Sequence, residues 1–211
     1  DPAHTRRHVH LVRVRTTREG SERVSKPDNP DCDAGLFAAA PTIRKAASIS
    51  ECGRYRYTLH RWWEPDRTRL GFIMLNPSTA DADIDDPTIR RCLGFARALG
   101  CDGIRVFNLY AFRATKPADL WKADEPTGGD RNDDLLREVL RQAEHWPVIA
   151  AWGANAKPDR VAEVMSWRGA EHLLALGLTK DGAPRHPLYL RADAKPIPFG
   201  TTTPFSPGDA S

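Results

Sequence analysis

The chain has 211 residues, 40% of them hydrophobic and 28% charged, with a formal net charge of +3. That suffices for one domain with a sizeable core, and the mixture is ordinary for a globular protein. The mild basic excess permits a polyanionic partner without requiring one, and no apolar run approaches the ~20 residues that span a bilayer, so no membrane partner is expected.

Four cysteines without a CxxC pair read as isolated thiols of a reducing compartment, which makes a cytoplasmic location the expectation. Residues 1–51 hold RRHVHLVRVR, a turn-rich SKPDNPD and a small-residue stretch near AGLFAAAP. They read as a basic, poorly ordered extension. His8 and His10 have ligand-like spacing but no accompanying Cys or carboxylate cluster, so an exposed basic arm is expected there.

Tyr55 to Trp63, YRYTLHRWW, alternates apolar and polar residues as a strand does. Glu64-Pro65-Asp66 marks a turn, and the apolar run Leu70 to Leu75 is the next strand, which together suggest a hairpin. The run ends in Asn76-Pro77-Ser78, followed by a loop carrying Asp81, Asp83, Asp85 and Asp86. A helix over 87–99 follows, with Asp85 or Asp86 as its cap, Pro87 in its first turn, and Ile89, Leu93, Ala96 and Leu99 as its apolar stripe.

A strand from Ile104 to Leu109 carries Asn108 towards a loop with Tyr110, Arg113 and Lys116. Gly128-Gly129-Asp130 introduces another helix, with Asn132 or Asp130 as cap and Leu135, Leu136, Val139 and Leu140 inward. Val148 to Ala151 is a third buried strand ending at Trp152-Gly153, Val161 to Trp167 belongs to a helix, and Leu173 to Leu176 is a fourth strand. A last loop spans Gly182 to Tyr189, and the tail from Lys195 onward, rich in Pro, Thr, Gly and Ser, is expected to be mobile, with residues 200–211 a flexible end. Strands alternating with helices predict one α/β domain over residues 52–199, a three-layer αβα sandwich with a mainly parallel central sheet.

On such a sheet the polar strand ends converge along one edge, where ligands of open α/β sheets bind. Asn76 and Asn108 each offer a donor and an acceptor able to read a nucleobase edge or hold a water. His186 precedes a proline, in a constrained extended backbone suited to a residue aimed into a site. Tyr110 and Trp152 are placed to stack on a base, although Trp152 also reads as core. Structural readings stand beside these: Asn76 as an Asx turn, Asn108 as a tie between loops, Arg113 and Arg191 as partners of the aspartates.

The motifs LNPSTAD-x3-DDPTIRRC, NLYAFRAT-x-P, AAWG and GLTKDGAPRHPLYL, in this order, resemble the bacterial and phage family called domain of unknown function 1643, over about residues 54–192. That family name carries no activity. The same motif order resembles, more distantly, the uracil-DNA glycosylases. Leu75-Asn76-Pro77 is similar to their first motif, Val106-Phe107-Asn108 with Arg113 and Pro117 to their base-recognising Asn segment, Trp152-Gly153-Ala154-Asn155-Ala156 to their third element, and His186-Pro187-Leu188-Tyr189-Leu190-Arg191 to their His-Pro loop.

The resemblance implies a glycosylase-like fold and a nucleobase-directed N-glycosidase acting on DNA or a nucleotide, without metal or other cofactor. His186 would then hydrogen-bond the developing oxyanion of the leaving base. Asn76 would position the water, with Asp81 the aspartate nearest that strand end. Asn108 would read the base, while Leu188, Tyr189 or Leu190 fills the vacated stack. Arg113, Lys116, Arg185 and Arg191 would meet phosphates. The sequence departs from those enzymes at Leu188, where serine is usual, at Met74 or Leu75 in place of a glycine, at Pro87-Thr88-Ile89, where an aromatic stacker is usual, and in cysteines that do not match iron–sulfur ligands. Two alternatives remain. The aspartate loop suits a metal-dependent nuclease, and a non-catalytic nucleic-acid or nucleotide binder would need only the pocket.

Overall fold

The computed structural model describes residues 42–64, 68–78 and 85–200. It is an α/β structure built on seven strands, β1 (Arg44–Ile49), β2 (Arg56–Trp62), β3 (Leu70–Met74), β4 (Gly103–Asn108), β5 (Val148–Ala150), β6 (Leu174–Ala175) and β7 (Ile197–Pro198). Four α-helices accompany them: α1 (Pro87–Ala98), α2 (Pro117–Leu120), α3 (Asp130–Gln142) and α4 (Pro158–Met165).

The strands lie side by side in the order β1-β2-β4-β3-β5-β6-β7. The centre, β4-β3-β5-β6, is parallel, whereas β1, β2 and β7 run antiparallel to their neighbours. The sheet is therefore mixed, which corrects the expectation of a mainly parallel one. The predicted hairpin is corrected too. β2 pairs with β4, so β4 separates β2 from β3.

β3 is central because every one of its residues is buried, as a strand covered on both faces requires. Alternate residues feed two cores. Phe72 and Met74 join Ile104, Val106 and the α1 residues Ile89, Cys92, Leu93 and Phe95. Ile73 and Leu75 join Phe107, Leu136, Val139 and Leu140 on the α3 side. Helices thus cover both faces of the sheet.

α1 begins where the sequence suggests. Pro87 occupies its first turn, and Asp86 caps it by accepting from the Ile89 N–H at 2.8 Å, a contact that contributes about 1 kcal/mol. α3 is different. Neither Asp130 nor Asn132 caps it, and Gly129 occupies the N-cap without a side-chain bond. Asn132 turns inward, donating to the Asn108 carbonyl at 3.1 Å and to that of Leu109 at 3.4 Å.

The sheet also begins earlier and ends later than expected. β1 lies inside the segment assigned to the N-terminal extension, and β7 inside the tail. His8 and His10 fall outside the described residues. No helix among the described residues is long and apolar enough to cross a membrane.

Candidate functional site

Four parallel strands bring their C-terminal ends to one edge, at Met74, Asn108, Ala150 and Ala175. β2 is antiparallel to β4 and begins at this edge, so Arg56 arrives there as well, its N–H bonded to the Ala111 carbonyl at 2.9 Å. The polar residues found here are set by where strands stop.

Asn76 leaves β3 and ties two loops together. Its amide nitrogen donates to the Ala114 carbonyl at 2.8 Å and to the Pro77 carbonyl at 3.0 Å. The Ala114 N–H returns a bond to the Pro77 carbonyl at 3.0 Å. Both amide hydrogens are thereby used, and Oδ1 is the atom left to accept from a ligand or water.

Asn108 closes β4 and is only 2% exposed. Strand alternation puts it on the α1 face with Val106, opposite to Phe107. Among the described residues its carboxamide makes no hydrogen bond, while its main-chain carbonyl accepts from Asn132. A buried amide left this way is one that a ligand or water must satisfy.

His186 reaches the edge on a short 3-10 turn, Pro187–Tyr189. The loop docks through the Gly153 N–H, which donates to the Pro184 carbonyl at 2.9 Å. Gly153 has φ +73°, a conformation that side chains rarely adopt, and its position faces the His186 Cβ. Arg91 of α1 donates to the Leu190 carbonyl and fixes the far end of the turn. The Leu188 N–H donates to His186 Nδ1 at 3.4 Å. Burial holds the imidazole below its usual pKa, with the charge of Asp86 opposing. The ring is thus neutral at pH 7, with its proton on Nε2.

The aspartates divide. Asp86 caps α1, and its Oδ2 accepts from the Ser78 hydroxyl at 3.4 Å. Asp85 accepts from Arg61 Nε at 2.7 Å, and Arg61 is fully buried. Asp81 and Asp83 lie outside the described residues. No group of three or more His, Cys, Asp or Glu among the described residues is placed to hold a metal ion.

Two residues assigned to base stacking are packed into the core on the other face. Tyr110 is 2% exposed and meets Trp121 edge-on, and Trp152 is 3% exposed against Phe199. Both belong to the α3-side core. With so little of either side chain exposed, the structure places both in the core rather than at a surface where a base could stack.

The outer candidates are at the surface. Leu188 and Tyr189 are exposed on the 3-10 turn, Tyr189 at 77%. Lys116 is exposed, Arg185 holds the Leu178 carbonyl, and Arg191 forks onto Asp193. Arg113, by contrast, is half-buried and donates to the Gly53 carbonyl at 3.0 Å.

Two buried arginines of β2, of which Arg56 lies at this edge, escaped the sequence reading. Arg61 is in phase with Leu59 on the buried face of β2, a signal present in YRYTLHRWW. Arg56 had no such signal. A bulge pairs Ser48 with Thr58 but Ile49 with Arg56, leaving Tyr57 extra and breaking the two-residue alternation. Arg56 is 6% exposed, and its Nε has no hydrogen-bond partner among the described residues. Burial, with the charges of Arg113 and Arg61, pushes its pKa down to about 10 against the opposing pull of Asp86.

A separate cleft of about 310 Å³ opens beside the start of β2, lined by Arg54, Tyr55, Phe112 and an acidic rim that includes Asp119 and Glu125. None of the candidate residues lines it, and the chemistry-bearing groups gather at the sheet edge instead.

A mixed seven-stranded sheet with helices on both faces, and with two asparagines, a histidine and the buried Arg56 where its parallel strands end, defines a class of α/β protein by fold. Within that class the chain belongs to the family described as "Protein of unknown function (DUF1643)", whose model matches residues 56–188, more than half of the chain. No curated protein and no solved structure matches it.

Proposed function

We propose that this protein is a glycosylase-like hydrolase, an N-glycosidase directed at a nucleobase in a nucleotide or in DNA, working without a metal. The observation that carries the reading is the state of His186. Its Nδ1 is occupied by the Leu188 N–H and burial disfavours the imidazolium, so it presents a fixed Nε2–H donor at the sheet edge. Cleavage needs such a donor. Water adds to the anomeric carbon as the C–N bond breaks, the electron pair leaves with the base, and the water loses a proton. A preorganised N–H next to the departing base stabilises the negative charge where it develops.

The other residues support the same chemistry. Asn76 offers Oδ1 to hold the water, since both its amide hydrogens are committed to loop carbonyls. Asn108 offers an unspent carboxamide for the base edge. Leu188 and Tyr189 stand exposed beside His186 and suit a wedge into a base stack. The uracil-DNA glycosylase resemblance, in fold as in motif order, is part of this proposal. The nuclease alternative is weakened because Asp85 and Asp86 are already engaged by Arg61 and by the start of α1.

The test is incubation of the full chain with labelled DNAs and nucleotides carrying uracil, hypoxanthine, methylated or hypermodified bases, with and without EDTA. Alkali-labile abasic sites or free base formed in EDTA, and lost in His186→Gln, are expected. Direct strand breaks that need Mg²⁺ would transfer the assignment to a nuclease.

A further inference from the structure

Arg56 poses a problem that the glycosidase chemistry does not solve. A guanidinium removed from water requires a counter-charge or a full set of acceptors. Arg61 has both, bonding Asp85 and the His60 carbonyl. Arg160 has both, bonding Asp133, Glu163 and the Leu109 carbonyl. Arg56 is equally buried, at 6% exposure, yet it makes no side-chain hydrogen bond or salt bridge among the described residues.

Its surroundings deepen the deficit. Arg113 and Arg61 add like charge, and Asp86, the carboxylate coupled to it among the described residues, is spent on the Ile89 N–H and the Ser78 hydroxyl. Asp86 also marks the opening of α1, a twelve-residue helix whose N-terminal dipole favours an anion. Asn108, with its own unspent carboxamide, ends the strand next to β2.

We infer that Arg56 is the floor of an oxyanion site at the opening of α1, and that the ligand is a nucleoside monophosphate whose terminal phosphate enters there. The nucleoside half of that ligand rests on the base-directed reading above; the phosphate half rests on Arg56. A phosphodiester inside a DNA strand is flanked by sugars on both sides and meets cations that stand at a surface. A guanidinium buried this deeply is reached by an end group. Arg presents a planar fork suited to two phosphate oxygens, and the low dielectric around it strengthens the pair.

The experiment is calorimetric titration of the full chain with inorganic phosphate, the nucleoside 5′-monophosphates, the matching nucleosides, and an oligonucleotide without a terminal phosphate. At least one monophosphate should bind ten-fold or more tighter than its nucleoside and than the oligonucleotide. Arg56→Met should abolish that advantage while keeping the nucleoside affinity, and Arg56→Lys should restore part of it. His186→Gln should keep the phosphate advantage.

Equal binding of nucleoside and monophosphate, an advantage that survives in Arg56→Met, or tighter binding of the oligonucleotide would overturn the inference. The last result would leave the base-directed reading standing. A phosphate advantage equal for inorganic phosphate and every nucleotide would uphold the oxyanion site while refuting the base-directed reading.

Discussion

Arg56→Met should make the ligand-free protein more stable. The guanidinium is charged in both the folded and the unfolded chain at neutral pH, but folding strips most of its water and, among the described residues, returns no ion-paired carboxylate. Its pKa in the folded state falls to about 10, with burial as the first cause. A tenfold change in proton affinity corresponds to about 1.4 kcal/mol, so the charged group costs the fold about 3 kcal/mol at pH 7. The sign follows from linkage. A depressed pKa on a cationic group means that the folded state disfavours the proton, and the full penalty is present at every pH below 10. Methionine keeps the unbranched stem and packs without a charge. Some of the gain is offset by imperfect filling of the guanidinium's space, which leaves a net rise of about 1–3 kcal/mol. Urea denaturation of the two proteins at pH 7, in buffer free of phosphate, measures it. A loss of stability in Arg56→Met with an unchanged denaturant slope would show that the guanidinium has a structural partner, and the reasoning about an open anion site would fail.

Other consequences follow from neighbouring groups. Burial, reinforced by Arg105, pushes the pKa of His60 from the usual 6.5 to about 4. The unfolded chain therefore takes up this proton first, and stability should fall by about 2–3 kcal/mol between pH 6.5 and 4. His186 is shifted in the same direction and adds to the fall; denaturation curves at pH 7 and pH 4.5 for the native chain and His60→Leu should show a smaller drop in the variant. Asp85→Asn should destabilise by about 3 kcal/mol, because it breaks the ion pair at Nε of the fully buried Arg61; a thermal midpoint unchanged within error would mean that the ion pair does not hold the α1 loop. Cys52 is exposed, and its hydrogen bond with Ser50 and the neighbouring Arg54 lower its pKa to about 7. Iodoacetamide should label it rapidly at pH 7.5, well ahead of the buried Cys92 and Cys101, whose pKa values burial pushes up. Peptide mapping that finds Cys92 or Cys101 modified as fast as Cys52 would contradict the packing of α1 and of the turn after it.

The segment from Leu70 to Ala98 was the most legible part of the chain, because its information is local. A continuous apolar run becomes the central strand, Asp86-Pro87 is a cap written in two residues, and a 3.6-residue stripe faces the sheet. Pairing is not local, and there the reading failed. Nothing in residues 55–75 states that β4 will come between β2 and β3, since that partner lies some thirty residues further on. β1 reads RKAASI, small and partly exposed, with no alternation strong enough to separate an edge strand from an extension.

The candidate site divides along the same line. His186, Asn76 and Asn108 stood at strand ends or before a proline, and the structure brings all three to one edge. Tyr110 and Trp152 stood at strand ends too, but an aromatic ring leaving a buried strand is as useful to the core as to a ligand, and here Trp121 and Phe199 claim them. Arg56 was hidden by a one-residue bulge that shifts the strand's phase. Asn132 was mistaken for a cap because its type suits both roles. In the folded chain it carries the carbonyls of Asn108 and Leu109, where β4 leaves the sheet.

The measurement that bears most directly on the central claim is product identification after single-turnover incubation in EDTA. Substrates are the base-modified DNAs and nucleoside monophosphates, with products resolved by mass. The account predicts a free nucleobase with its matching abasic sugar. It also predicts that His186→Gln slows their release by a hundred-fold or more, the scale on which removing one preorganised donor acts. Nucleotide fragments with the base still attached, or release of base undiminished in His186→Gln, would contradict it.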